Sequence, residues 1–306
     1  MNRALTNHIL MVRPAHFGYN EETADDNAFQ ARDENMNTTE VQEEAVREFD
    51  TLIAKLRAAD IDVFLVNDAD DPYTPDAVFP NNWVSFHQNG TIATYPMYSS
   101  IRRRERQEEI IQMVKEKFGF DKRMHFEQLE FEDKFLEGTG SLVLDRLNKI
   151  AFACKSHRTH EDAVDQFCKY MNYEKVLFSA YDEPGKPIYH TNVMMTMGDH
   201  FAIVCMESIK NERERLALQT KLADNDKTII EISFEQMGKF AGNTLLVNNN
   251  HEESYLVMSS SAYHAFDERQ LKILERFAKI IHSPIPTIEK SSGGSVRCMM
   301  AEIFVP

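Results

Sequence analysis

Short apolar runs alternate along this chain with longer stretches in which apolar positions return every third or fourth residue. Runs of the first kind predict buried strands, and stretches of the second predict amphipathic helices. Residues 8–13 form the first run, ended by Pro14, which cannot donate to a strand ladder. Residues 15–39 carry no period and read as a long loop; a loop of that length in a compact domain is more often a functional lid than a bare connection. Val41, Ala45, Phe49, Leu52 and Leu56 then set a helix over 39–59, with Thr39 as N-cap and Gln42 three residues on. A strand follows at 61–66.

From here the pattern repeats. Residues 79–86 lead through His87-Gln88-Asn89-Gly90 into 91–95, and Asn-Gly between two strands is a strong hairpin signal. A charged helix over 101–118 completes that unit. The second unit has a strand at 126–131, a hairpin of 136–145 with 150–154 and a helix at 160–171. The third has a strand at 176–179, a hairpin of 190–195 with 201–206 and a helix at 208–222. The fourth has a strand at 228–233, a hairpin of 242–247 with 255–258 and a helix over 267–281. The fifth begins with a strand at 285–289 and ends in Arg297-Cys298-Met299-Met300, its missing partner supplied by the N-terminal strand at Ile9.

The small or polar residue opening each hairpin falls at Asn82, Gly140, Asn192, Asn243 and Arg297, in steps of 51 to 58 residues. Equal steps with equal content predict a repeat architecture. Five α/β units closed by pairing the first strand with the last give a five-bladed, pseudo-symmetric α/β propeller, a single domain over 1–306 with one site at its axis. A doubly wound sheet would lack the hairpins.

Composition narrows the function. A net charge of −15 argues against nucleic acid as partner, because phosphate binding needs a basic face. No apolar run is long enough to span a membrane and no leader-like segment opens the chain, so a cytoplasmic enzyme without membrane contact is expected. Four scattered cysteines, Cys154, Cys168, Cys205 and Cys298, form no disulfide framework. Three of them sit in apolar or helical patterns. Cys298 instead follows Gly293-Gly294 and Arg297, and a neighbouring cation favours thiolate, the nucleophilic form.

The hairpin openings also supply Asn81, Asn82, Glu137, His190, Asn192 and Asn243. Cys298 as nucleophile, His190 as proton carrier and Glu137 as the carboxylate that orients it would come from three different units. Two further clusters look weaker. Cys154-Lys155-Ser156-His157-Arg158-Thr159-His160 fits no complete zinc set and reads as a solvated junction. Arg102-Arg103-Arg104 opens an acid-balanced helix and reads as surface.

The Gly-Gly-x-x-Arg-Cys-Met ending, the Glu-Gly-x-Gly and His-x-Asn hairpins, and the segment from Pro75 to Asn82 together resemble the guanidine-modifying (pentein) superfamily of arginine deiminases, dimethylarginine dimethylaminohydrolases and amidinotransferases. The match is nearest to its citrulline-utilisation hydrolases. The resemblance implies a five-bladed α/β propeller with no metal or organic cofactor. It also implies a covalent adduct on Cys298, proton transfer by His190, and orientation of His190 by Glu137. Asp76 would hold the substrate α-amino group, Phe79, Asn81, Asn82, Asn192 and Asn243 would line the substrate, and Arg146 and Arg297 are candidates for its α-carboxylate. Tyr95 stands where some relatives carry a substrate-binding arginine.

Deiminases place carboxylates where this chain has Asn82 and Asn192. An amide both donates and accepts, which suits a neutral ureido group better than a guanidinium. The expected substrate is therefore a small amino acid, citrulline foremost, cleaved to ornithine, ammonia and carbon dioxide. Arginine deimination, a dimethylargininase-like reaction or amidino transfer is the runner-up, and a silent amino-acid-binding module is a third reading. A homodimer is entertained as the assembly.

Overall fold

The computed structural model describes residues 3–24, 27, 29–32 and 35–306. Among them, fifteen strands make five three-stranded sheets with one internal plan. In the first complete unit, β3 (Val84–His87) pairs antiparallel with β4 (Thr91–Thr94) in register Val84↔Thr94 to His87↔Thr91. The chain then passes through a helix and returns as β5 (Lys122–His125), parallel to β4. The same order recurs in β6 (Val143–Asp145), β7 (Ile150–Cys154) and β8 (Glu174–Phe178). It recurs again in β9 (Met195–Met197), β10 (Phe201–Val204) and β11 (Thr228–Glu231). The next unit is β12 (Leu245–Asn248), β13 (Ser254–Ser259) and β14 (Lys279–Ser283).

The fifth sheet draws on both ends of the chain. β15 (Ala301–Glu302) pairs antiparallel with β1 (His8–Arg13), and β1 runs parallel to β2 (Asp62–Asn67). The expected partnership of Ile9 with the last strand is met in the register Ile9↔Glu302. The result is a mixed α/β fold whose five sheets fit pseudo-fivefold symmetry. No helix among the described residues is long and apolar enough to cross a membrane.

Several elements differ from the sequence reading, each for a physical reason. The helix Thr38–Ala58 is capped by Asn37, not Thr39: the Asn37 side chain accepts from Thr39 and Glu40 N–H, and Glu40 returns a bond to Asn37 N–H. The strand expected at 126–131 lies earlier, at β5. Its Lys-Arg-Met-His sequence is an exposed sheet edge with no apolar alternation, and Glu127–Glu132 is a 3₁₀ turn. The helix expected over 267–281 ends at Leu274, and its last apolar residues belong to β14. Residues 285–289 belong to a helix, Pro286–Ser292, rather than a strand. Pro286 presets the first turn, while the buried Glu48 carboxylate accepts from Thr287 N–H at 2.8 Å and Ile288 N–H at 3.0 Å.

A further difference bears on function. Each expected hairpin strand begins with a helical turn: Pro80–Asn82, Gly138–Ser141, Thr191–Met194 and Val296–Met299, with a fourth-unit turn closed by Asn243 N–H on Phe240 O. The Gly138–Ser141 turn packs between those at Pro80–Asn82 and Thr191–Met194, and Val296–Met299 packs against Pro80–Asn82. The five openings are thereby gathered in one place.

Candidate active site

At that meeting point Cys298, His190 and Glu137 lie buried together. His190 Nε2 stands 2.8 Å from Glu137 Oε2, and Tyr98 N–H donates to Glu137 Oε1 at 3.0 Å. Burial pushes the Glu137 carboxyl up, but Arg158, the hydrogen bond and charge of His190, and Arg102 outweigh it and hold it at about 2. An ionised carboxylate only accepts, so His190 Nε2 carries the proton and Nδ1 is the basic ring nitrogen. Burial lowers the His190 value against the pull of Glu137, which favours the neutral ring. Gly140 permits this packing: a Cβ there would stand 2.8 Å from His190 Nδ1 and 2.5 Å from Asn82 Nδ2.

Cys298 is 3% exposed. Its Sγ receives Asn192 Nδ2 at 3.4 Å and Asn243 Nδ2 at 3.3 Å. Burial drives the thiols of Cys154 and Cys168 up to about 11 and that of Cys205 to about 12, so these three are inert packing residues. Asn192 Oδ1, in contrast, is buried with no hydrogen-bond partner.

The cavity over Cys298 is tight, about 20 Å³, room for about one water, and is lined by Asp76, Phe79, Asn82 and His190, among others. Asp76 Oδ2 accepts from Asn20 Nδ2 at 2.7 Å and lies 3.7 Å from Arg102 Nε. Asn81 stands behind the lining, bonded to Asn82 and Thr139. Thr23 and Asn27 of the expected lid segment also face the cavity, and Asn27 Nδ2 donates to Ser292 O at 2.8 Å. Residues 25, 26, 28, 33 and 34 of that segment lie outside the described residues.

Two arginines that the sequence reading passed over line this cavity. Arg102 is buried, not on the surface: Glu105 takes its Nε and Nη2 at 2.8 and 3.0 Å, and its Nη1 is 3.7 Å from Glu137. Arg158, read as part of a solvated junction, is equally buried, with Nη1 3.7 Å from Glu137 and its guanidinium 4.8 Å from the Tyr189 ring centroid. Arg146 and Arg297 lie elsewhere, sharing Glu302 at 3.5 and 3.0 Å and lining a separate cavity with Lys227. Tyr95 is a core residue, its hydroxyl 2.6 Å from Ser85 Oγ and its ring stacked on Phe126. Among the described residues no cluster of three or more His, Cys, Asp or Glu side chains could hold a metal.

This α/β fold with a buried Cys–His–Glu cluster defines a member of the guanidine-modifying superfamily. Residues 13–305 match the family described as N,N dimethylarginine dimethylhydrolase, eukaryotic, and the chain belongs to that family of C–N hydrolases. No curated protein sequence matches. Among solved structures, unliganded ArgZ, an arginine dihydrolase from the ornithine–ammonia cycle in cyanobacteria, superposes with a TM-score of 0.74 at 20% identity over 98% of this chain. The chain spans 41% of that protein's length. The N-terminal domain of an ArgZ variant covalently bound to a reaction intermediate gives 0.73 at 20% identity, covering 98% of this chain and 99% of that one. A dimethylarginine dimethylaminohydrolase variant in adduct with S-methyl-L-thiocitrulline gives 0.65 at 15% identity, covering 98% and 100%. At these identities the likeness is one of fold.

Proposed function

We propose that this protein hydrolyses the ureido group of citrulline or a close ureido amino acid through a covalent adduct on Cys298, in one domain whose five sheets are the blades of a propeller. The mutual packing of the five hairpin-opening turns supports the propeller. The single observation that carries the substrate is that amides, not carboxylates, surround the sulfur. Asn192 and Asn243 direct Nδ2 at Sγ, and Asn192 Oδ1 is the buried acceptor left open for a substrate N–H. A ureido group brings N–H groups for that acceptor and a carbonyl oxygen for the Asn192 amide donor. A guanidinium brings donors only, together with a charge that a buried site must compensate. The Glu137 carboxylate is already engaged by His190 and flanked by Arg158 and Arg102.

In this reading Arg102 and Arg158 take the α-carboxylate, to which arginine offers paired bonds, and Asp76 takes the α-ammonium. The Cys298 thiolate adds to the ureido carbon. His190, which has taken up the Cys298 thiol proton at Nδ1, delivers it to the departing amine nitrogen as the C–N bond breaks, leaving a thiocarbamate on sulfur. Water, deprotonated by His190, then displaces the thiolate, and the released carbamic acid separates into carbon dioxide and ammonia. One water is consumed per citrulline, and ornithine is the amine product.

The family match favours a second reading, a guanidine substrate such as arginine or a methylated arginine. Incubating the protein with citrulline and with arginine, alongside Cys298→Ala, separates the two. Ornithine and ammonia from citrulline, lost in the variant, are expected. Citrulline formed from arginine or dimethylarginine, without turnover of citrulline itself, would overturn the ureido assignment.

A further inference from the structure

We infer that Asn243 is a positioning residue that holds the Cys298 sulfur as thiolate and does not bind substrate. The inference rests on the reading of Cys298 as nucleophile, but not on which substrate it attacks. Asn243 is 1% exposed, and every polar group of its amide is engaged by protein. Its Oδ1 accepts from Arg297 N–H at 3.1 Å, which fixes the amide orientation. Nδ2 must therefore face the other way, where its two hydrogens find Asn192 O at 3.0 Å and Cys298 Sγ at 3.3 Å. Nothing on this side chain is left for a ligand. Asn192 differs, because its Oδ1 has no partner.

The geometry discriminates between the two forms of the sulfur. A thiolate accepts both amide donors. A thiol can donate to Asn243 Oδ1 only over a long 3.8 Å contact, to an oxygen that also accepts from Arg297 N–H, whereas the amide donors approach the sulfur more closely. The backbone keeps Asn243 in place from two directions. A Cβ on Gly242 would lie 2.3 Å from Val193 O, so only glycine lets the fourth opening pack this closely on the third. The Arg297 N–H that orients the amide belongs to the residue preceding the nucleophile, so amide and sulfur move as one unit.

The test needs no substrate. Alkylation of Cys298 by iodoacetamide, read by peptide mass spectrometry between about pH 5 and 10, reports the thiolate directly. Asn243→Asp is nearly isosteric and keeps an oxygen for Arg297 N–H, but it replaces the donor by a carboxylate oxygen against sulfur. Asn243→Ala removes donor and acceptor together. In both, alkylation near neutral pH is expected to slow about tenfold or more, with the profile displaced to higher pH by about one unit, the larger displacement in Asn243→Asp. Circular dichroism and the emission of Trp83 establish that the variants are folded, and Asn243→Asp decides the matter if Asn243→Ala is not. A folded Asn243→Asp protein whose profile superimposes on that of the wild type overturns the inference. Failure of the wild type to turn over citrulline would count against the proposed substrate and leave the alkylation result standing.

Discussion

At the scale of single residues, the site is governed by how buried charges compensate one another. Glu137 is wholly buried, which alone would raise its carboxyl, yet it is held at about 2, below its ordinary 4.5, chiefly by Arg158 and His190. A carboxylate lowered on folding stabilises the protein fully above its unfolded value and loses that contribution as pH falls through the folded one. The relevant window is therefore from about pH 4.5 down to about 2. Between pH 6 and pH 3 the lost contribution is about 2 kcal/mol. Glu137→Gln should be less stable at both pH values, because Arg158 loses its buried charged partner, but its stability should fall less steeply over that interval. Urea unfolding of both proteins at the two pH values measures the difference. Equal slopes would mean that Glu137 is not ionised against these partners in the fold.

At the scale of elements, the chain displayed its units more clearly than their edges. Five hairpin openings, the Asn-Gly turn and the apolar runs of β7, β10 and β13 were legible because each rests on local sequence. Three elements were not, and each depends on something distant. The helix Pro286–Ser292 is capped by Glu48, which stands 239 positions away. β5 is a polar edge strand fixed by its parallel partner β4. β14 is the apolar tail of a helical pattern, claimed by β13. The site divides in the same way. Cys298, His190 and Glu137 stand at the hairpin openings and carried their own signal, whereas nothing local separates the buried Arg102 from Arg103 and Arg104, or marks Arg158 between two histidine-containing pairs. The helical turns were missed because four residues are too few for a period, yet they bring the units into contact. Gly140→Ala tests one of them. The added methyl would meet Asn82 Nδ2 at 2.5 Å and the His190 ring at 2.8 Å. Turnover should fall by about tenfold or more from displacement of His190, with global stability lowered by no more than about 1–3 kcal/mol. Unchanged kcat would show that the turn does not set the position of the histidine.

At the scale of the whole molecule, the proposed nucleophile, Cys298, depends on residues from opposite ends of the chain. Cys298 lies three positions before β15, and β15 is held by β1 rather than by its own neighbours in sequence. Ile303, just beyond β15, is fully buried, its N–H donates to His8 O at 2.8 Å, and its carbonyl accepts from Thr6 Oγ1 at 2.7 Å. If the chain is one cooperative domain, loss of packing here is felt everywhere. Ile303→Ala should cost about 2–5 kcal/mol. Two probes then report from separate units: emission of the lone tryptophan, Trp83, which is 1% exposed beside β3, and alkylation of Cys298. Coincident midpoints in urea are the mark of all-or-none unfolding, and the substitution should lower both by the same amount. A midpoint for Cys298 that drops while that of Trp83 stays would mean that the last unit detaches by itself. Cys298 would then be held by a local clasp of β15 on β1 and not by the five sheets together. The shared-midpoint outcome is expected because the turn carrying Cys298 packs directly on Pro80–Asn82, next to Trp83, so neither probe can be released without disturbing the other.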